Sequence, residues 1–127
     1  MNNPAKAYSS VHLESRVSDA SPHRLIQMLL EGALERIAQA KGAIQQNQIQ
    51  RKSNLINKAV SIVGGLQGSL VDVGDGDLTA NLDSLYDYMI RRLLLANLKN
   101  DEHILDEVCS LLQDIKGAWD GIAAEVN

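Results

Sequence analysis

Apolar residues recur along this chain in alternating steps of three and four, the spacing that lines one face of an α-helix. Four such stripes are present. The first holds Ile26, Leu30, Ala33, Ile37, Ala40 and Ile44, and the second Ile56, Ala59, Val63, Leu66, Leu70 and Val73. The third runs through Leu78, Leu82, Leu85, Met89, Leu93 and Ala96, and the last through Leu105, Val108, Leu112, Ile115, Trp119, Ile122 and Val126. Between them stand polar or turn-forming segments at residues 47–50, 72–77 and 97–100. Ser21-Pro22 predicts the first helix start, because a serine oxygen caps free N–H groups and proline suits the first helical position. That helix should end near residue 46. Asp77 is the expected N-cap of the third helix, and Asp101-Glu102 place acids at the positive end of the fourth. Four helices of about 20–25 residues, each on the order of 30–38 Å long and joined by short turns, predict an all-α, antiparallel up-down-up-down four-helix bundle over residues 21–127. Residues 1–20 show no sustained period and read as a mobile N-terminal arm, with Tyr8, Val11 and Leu13 as its apolar anchors.

Two stripes are wider than a core requires. Leu55 and Ile62 lie on one flank of the second stripe and Val60 on the other, opening its apolar arc to roughly 160°. On the third helix Tyr88, Ile90, Leu94, Leu95 and Leu98 extend nearly round the cylinder, leaving Asp83, Ser84, Asp87 and Arg91 as a narrow polar strip. Packing against neighbouring helices or the arm would absorb part of this surface; a groove for an amphipathic partner segment would use the rest. Glycines inside the predicted helices, among them Gly32, Gly64 and Gly68, each cost up to about 1 kcal/mol relative to alanine and argue against an overstabilised bundle.

Composition narrows the function. With 127 residues the chain forms one domain. Twelve Lys and Arg against sixteen Asp and Glu leave a net charge of -4 and a pI near 5.2, which speaks against a nucleic-acid partner. The charge is uneven, since residues 101–127 hold seven acids and one lysine and should give the last helix an acidic outer face. A single cysteine, Cys109, offers neither an internal disulfide nor a thiolate metal site and reads as a small hydrophobe. No segment reaches the roughly twenty apolar residues of a membrane span, and the first residues resemble no targeting peptide, so a soluble cytoplasmic protein is expected.

Catalytic chemistry has no constellation. His12, His23 and His103 fall in separate segments without the Glu-x-x-His pairs of a bundle metal site. Asp75, Asp77, Thr79, Asn81 and Asp83 alternate like calcium-loop ligands, but Ala80 and Tyr86 occupy the positions needing glycine and a bidentate glutamate. No metal, cofactor or enzymatic activity is expected. Two alternatives remain at this level: a histidine phosphotransfer bundle using His103, and a helical homodimerisation module.

Ser21-Pro22-His23-Arg24-Leu25-Ile26-Gln27-Met28-Leu29, Gly32-Ala33-Leu34, Lys58-Ala59, Asn81-Leu82, Leu85-Tyr86-Asp87-Tyr88-Met89-Ile90-Arg91-Arg92-Leu93 and Ala96-Asn97 appear in order. Asp101, Glu107-Val108, Leu111-Leu112 and Trp119 continue the set. Together they resemble the flagellar secretion chaperone family FliS across nearly the whole chain, including Lys6-Ala7-Tyr8 at its start. The chain differs from the family's commoner pattern at Leu30, where an aromatic is more frequent, and at Asp75-Gly76-Asp77. The resemblance implies a cytoplasmic export chaperone that binds the C-terminal segment of flagellin, prevents premature polymerisation and assists delivery to the flagellar type III export gate. It also implies an arm whose Tyr8 covers the client groove until displaced. The expected client-binding residues are Tyr8, Leu55, Ile56, Ala59, Ile62, Val63 and Leu66, with Leu85, Tyr86, Tyr88, Met89 and Leu93 on the third helix. Of these, Leu55, Ile62 and Tyr88 are expected to make direct contact, while Ile56 and Val63 also belong to the inner stripe.

Overall fold

A computed structural model of the chain describes residues 21–70 and 76–126, with side chains as far as residue 122. The expected arm at residues 1–20 and Val73 lie outside the described residues, as does the side chain of Val126. Four helices follow one another: α1 (Pro22–Gln45), α2 (Ile49–Ser69), α3 (Asp77–Lys99) and α4 (Glu102–Val126).

Local chemistry sets their ends. Ser21 caps α1 by accepting a hydrogen bond from the Arg24 N–H at 3.1 Å, and Pro22 opens the helix without wasting a donor. The chain leaves α1 through Asn47, whose φ of 57° is a left-handed conformation that asparagine tolerates. The Gln48 N–H then bonds back to the Ala43 carbonyl at 2.8 Å, so the turn is complete in three residues. Asn100, at φ 53°, ends α3 the same way. Asp101 then caps α4, its Oδ1 accepting from the N–H of His103 at 2.9 Å and of Ile104 at 3.4 Å. Asp77 differs from expectation. Gly76 is the N-cap of α3 and Asp77 is already helical, where its charge meets the positive helix end without a capping bond. Residues 97–99 also remain helical, because Asn97 is held from α2.

α1 packs on α2 and α4, and α3 packs on the same two, so the helices occupy the corners of a square with sequence neighbours adjacent. Short turns make those neighbours antiparallel. Leu30, Ile37, Ile56, Met89, Leu93, Leu105 and Leu112 meet at the centre with almost no exposure. Two stripe residues miss the core. Leu78 is 72% exposed and Ile122 is 44% exposed, because each sits near a bundle end where the opposite helix no longer covers it.

The ends are tied by polar contacts across helices. Lys52, buried in α2, donates from Nζ to the Asn97 carbonyl at 2.8 Å, filling an acceptor that the end of α3 leaves unpaired. Ser53 Oγ donates to Asn97 Oδ1 at 3.2 Å. At the opposite end Trp119 Nε1 donates to the His23 carbonyl at 2.9 Å, and Gln27 and Lys116 both donate to Asp120. No described helix is long and apolar enough to cross a membrane.

Candidate binding surface

Most of the expected client-binding residues lie in the core. Ile56, Ala59, Val63, Met89 and Leu93 have no exposure, Leu66 and Tyr86 almost none, and Leu55 is 8% exposed. Tyr86 and Leu55 are the instructive cases. Leu55 was expected on a flank of the α2 stripe and Tyr86 among the groove residues of α3, but α2 and α3 each pack against two neighbours, which together bury both side chains. Burial also pushes the Tyr86 phenol above its ordinary pKa of 10.0. Tyr8 lies outside the described residues. Ile62, Leu85 and Tyr88 are the expected site residues that keep partial exposure.

Ile62 and Tyr88 face different seams. Ile62 leans from α2 over α1, where a Cβ placed on Gly32 would stand 3.5 Å from its Cδ1. Tyr88 leans from α3 over α4 and donates from Oη to Glu107 Oε2 at 2.6 Å. Arg92 Nε donates to the other oxygen of the same carboxylate at 2.8 Å. The hydrogen bond from Tyr88, and after it that from Arg92, hold the Glu107 carboxyl below its ordinary 4.5. The same bond to Glu107 raises the Tyr88 phenol above 10.0. Arg91 and Arg92 each set a guanidinium 5.9 Å from the Tyr88 ring centre. Leu85, one turn before Tyr88, packs at the margin of the core.

Apolar exposure concentrates elsewhere on the described surface. Leu98 is 80% exposed, Leu94 48% and Ile49 50%. Leu94 and Leu98, counted at first with the wide apolar arc of α3, continue the steps of three and four that run through Ser84, Asp87 and Arg91, and that register is the signal that could have separated them from Tyr86 and Met89. Near the α1–α2 turn a hollow of about 350 Å³ is lined by Gln39, Gly42, Ala43, Gln46, Gln48 and Arg51. It carries amides and a guanidinium, with no nucleophile beside a base. Among the described residues no three His, Cys, Asp or Glu side chains gather as metal ligands. Cys109 is half-buried, and desolvation pushes its thiol above 9.0, away from the reactive thiolate.

What this surface offers is apolar area on a helical frame. Comparison with known proteins agrees with that frame. The family model described as "Flagellar protein FliS" matches residues 3–126. The flagellar secretion chaperone FliSB of Pseudomonas aeruginosa is 53% identical over 118 residues, covering 93% of this chain and 94% of that one. The flagellar secretion chaperone FliS of Vibrio cholerae is 42% identical over 125 residues, covering 98% and 92%. That of Salmonella typhimurium is 42% identical over 123 residues, covering 96% and 91%. The chain, a four-helix bundle matched over nearly its full length, belongs to the FliS family of flagellar secretion chaperones, a family of chaperones and not of enzymes.

Proposed function

We propose that this chain works in the cytoplasm, binds the C-terminal segment of flagellin, keeps it from polymerising prematurely and assists its delivery to the flagellar type III export gate. The match of residues 3–126 to the FliS family carries this reading. Client apolar side chains are captured along α2 and α3, with Ile62, Leu85 and Tyr88 as the contact rim and the buried Leu55 behind it. Ile56, Ala59, Val63, Leu66, Tyr86, Met89 and Leu93 form the support beneath, since their near-complete burial leaves them little surface to offer. Residues 1–20 act as an arm whose Tyr8 competes with the client, and residues 21–127 as the chaperone domain. Because Ile62 and Tyr88 lie over different seams, a client reaching both must wrap round the bundle. A segment disordered when free suits such wrapping, drawing affinity from a large contact area and paying its ordering entropy on binding.

The test is calorimetric titration of the full chain with a peptide spanning the C-terminal segment of the same organism's flagellin. One-to-one binding with a negative heat-capacity change supports the reading. Absence of heat at several temperatures, with both components soluble and folded controls in place, rejects it. Ile62→Asp should weaken binding while leaving helicity intact, and deletion of residues 1–15 should strengthen it.

A further inference from the structure

Tyr88 differs from Ile62 and Leu85, the other half-buried rim residues, in being tied to a neighbouring helix. Its Oη donates to Glu107 Oε2 at 2.6 Å, and Arg92 Nε donates to Oε1 of the same carboxylate at 2.8 Å, so each oxygen has a donor of its own. Arg92 stands one turn beyond Tyr88 on the same side of α3, and the two reach α4 together. The Arg91 guanidinium is also 5.9 Å from the ring centre, but its Nε turns to Asp87 at 3.3 Å. Among the described residues no other side-chain hydrogen bond joins α3 to α4. Ile62 needs no such tie, because a β-branched side chain has one strongly preferred rotamer in a helix. An untied tyrosine swings between two.

We infer that Glu107, braced by Arg92, is a positioning residue for client binding: it fixes the Tyr88 ring over the seam between α3 and α4 in the conformation that the client meets. The inference rests on the reading of Tyr88 as part of the contact rim. The O–H of the phenol is spent on Glu107, and Arg92 offsets the charge of the carboxylate, so what Tyr88 keeps for a partner is its ring. A ring left loose would have to be ordered when the client arrives, and ordering one such side chain weakens binding by roughly two- to tenfold. A ring held beforehand avoids that loss without adding any contact. Glu107 therefore acts through Tyr88 and has no client contact of its own.

Titration calorimetry of the full chain with a peptide of the flagellin C-terminal segment tests this through a double-mutant cycle. Tyr88→Ala removes the ring and should weaken binding most. Tyr88→Phe keeps the ring without its tether, and Glu107→Ala removes the anchor. Each should weaken binding by the same factor, and the double variant Tyr88→Phe/Glu107→Ala by no more than either. Glu107→Gln keeps a carbonyl acceptor for the phenol and should bind more tightly than Glu107→Ala. Asp106→Ala breaks the 2.8 Å bond from Lys41 that ties α1 to α4, and should leave affinity unchanged. That comparison separates positioning of the ring from general loosening of the bundle, and circular dichroism should show folded helices in every variant. Additive losses in the double variant, no rescue by glutamine, or a loss in Asp106→Ala equal to that in Glu107→Ala overturns the inference. So does parent-like binding by Tyr88→Phe and Glu107→Ala when Tyr88→Ala binds poorly, although Tyr88 then remains a contact. If Tyr88→Ala itself binds like the parent chain, Tyr88 is no part of the rim and the inference falls with that reading.

Discussion

The Tyr88 hydroxyl donates a 2.6 Å hydrogen bond to Glu107, fastening α3 to α4 through a side chain that sequence alone marks as surplus apolar surface. The bond makes stability depend on pH at both ends. Glu107 titrates below its ordinary 4.5 in the folded chain, chiefly through the bond from Tyr88. Its contribution is complete above pH 4.5 and is lost as pH falls through the lower folded value. Tyr88 titrates above 10.0 because of the bond to Glu107, so its contribution is complete below pH 10.0 and fades as pH rises through the raised folded value. Tyr88→Phe should therefore lower the urea midpoint between these limits, modestly for so exposed a pair, and converge with the parent chain beyond them. A gap of equal size at pH 3 and pH 7 would mean that the phenol acts through packing alone.

His23 and Trp119 form the corresponding tie between α1 and α4. Their rings stack at 4.6 Å with planes 5° apart, and His23 Nε2 is buried without a hydrogen-bond partner. His23→Ala should cost about 0.5–1.5 kcal/mol, the usual value of a stacked aromatic pair beyond its area. Trp119 is the chain's sole tryptophan, so its emission reports this contact directly. The variant should shift emission to longer wavelength while the far-ultraviolet spectrum stays helical. An unchanged emission maximum would show that the indole is held by its bond to the His23 carbonyl without help from the ring.

Helix identity was legible because the stripes repeat for five or six turns and the ends carry short-range signals. Ser21-Pro22 and Asp101 act where their chemistry predicts. The candidate surface was less legible. Whether Leu55 or Tyr86 faces water depends on how far two neighbouring helices overlap its helix, and periodicity places a residue on a face without saying what covers that face. Lys52 shows the converse. Its charge predicts exposure, but the carbonyl of Asn97, forty-five residues away, gives the ammonium a buried partner. Ile62 and Tyr88 flank stripes on adjacent helices, and only the packing reveals that they lean away from each other.

Removing the Lys52 ammonium should therefore act at a distance along the chain. Lys52→Ala leaves the Asn97 carbonyl without its donor and uncovers apolar surface around the lost stem, at a cost of about 1–3 kcal/mol. Exposed Lys58, on the same helix, should change stability by less than about 0.5 kcal/mol when replaced by alanine. Hydrogen exchange should localise the loss to the last turn of α3 and the first of α2. Equal effects at the two lysines would indicate that charge balance, not the bond to α3, is what Lys52 supplies.

Gly32 offers a way to separate stability from binding at the Ile62 seam. A Cβ there would lie 3.5 Å from Ile62 Cδ1, ordinary contact that displaces nothing. Gly32→Ala should therefore gain about 0.5–1 kcal/mol from the lower entropy of the unfolded chain, with Ile62 left in place and affinity for a flagellin C-terminal peptide unchanged. Gly32→Phe puts a ring where Ile62 Cδ1 now stands, so it must turn outward and fill the seam between α1 and α2. Thermal unfolding should remain cooperative for both variants, and calorimetry should find peptide affinity reduced only for the phenylalanine. If both bind alike, the client does not use the seam over Ile62 and the contact rim reduces to the side of α3 that carries Leu85 and Tyr88.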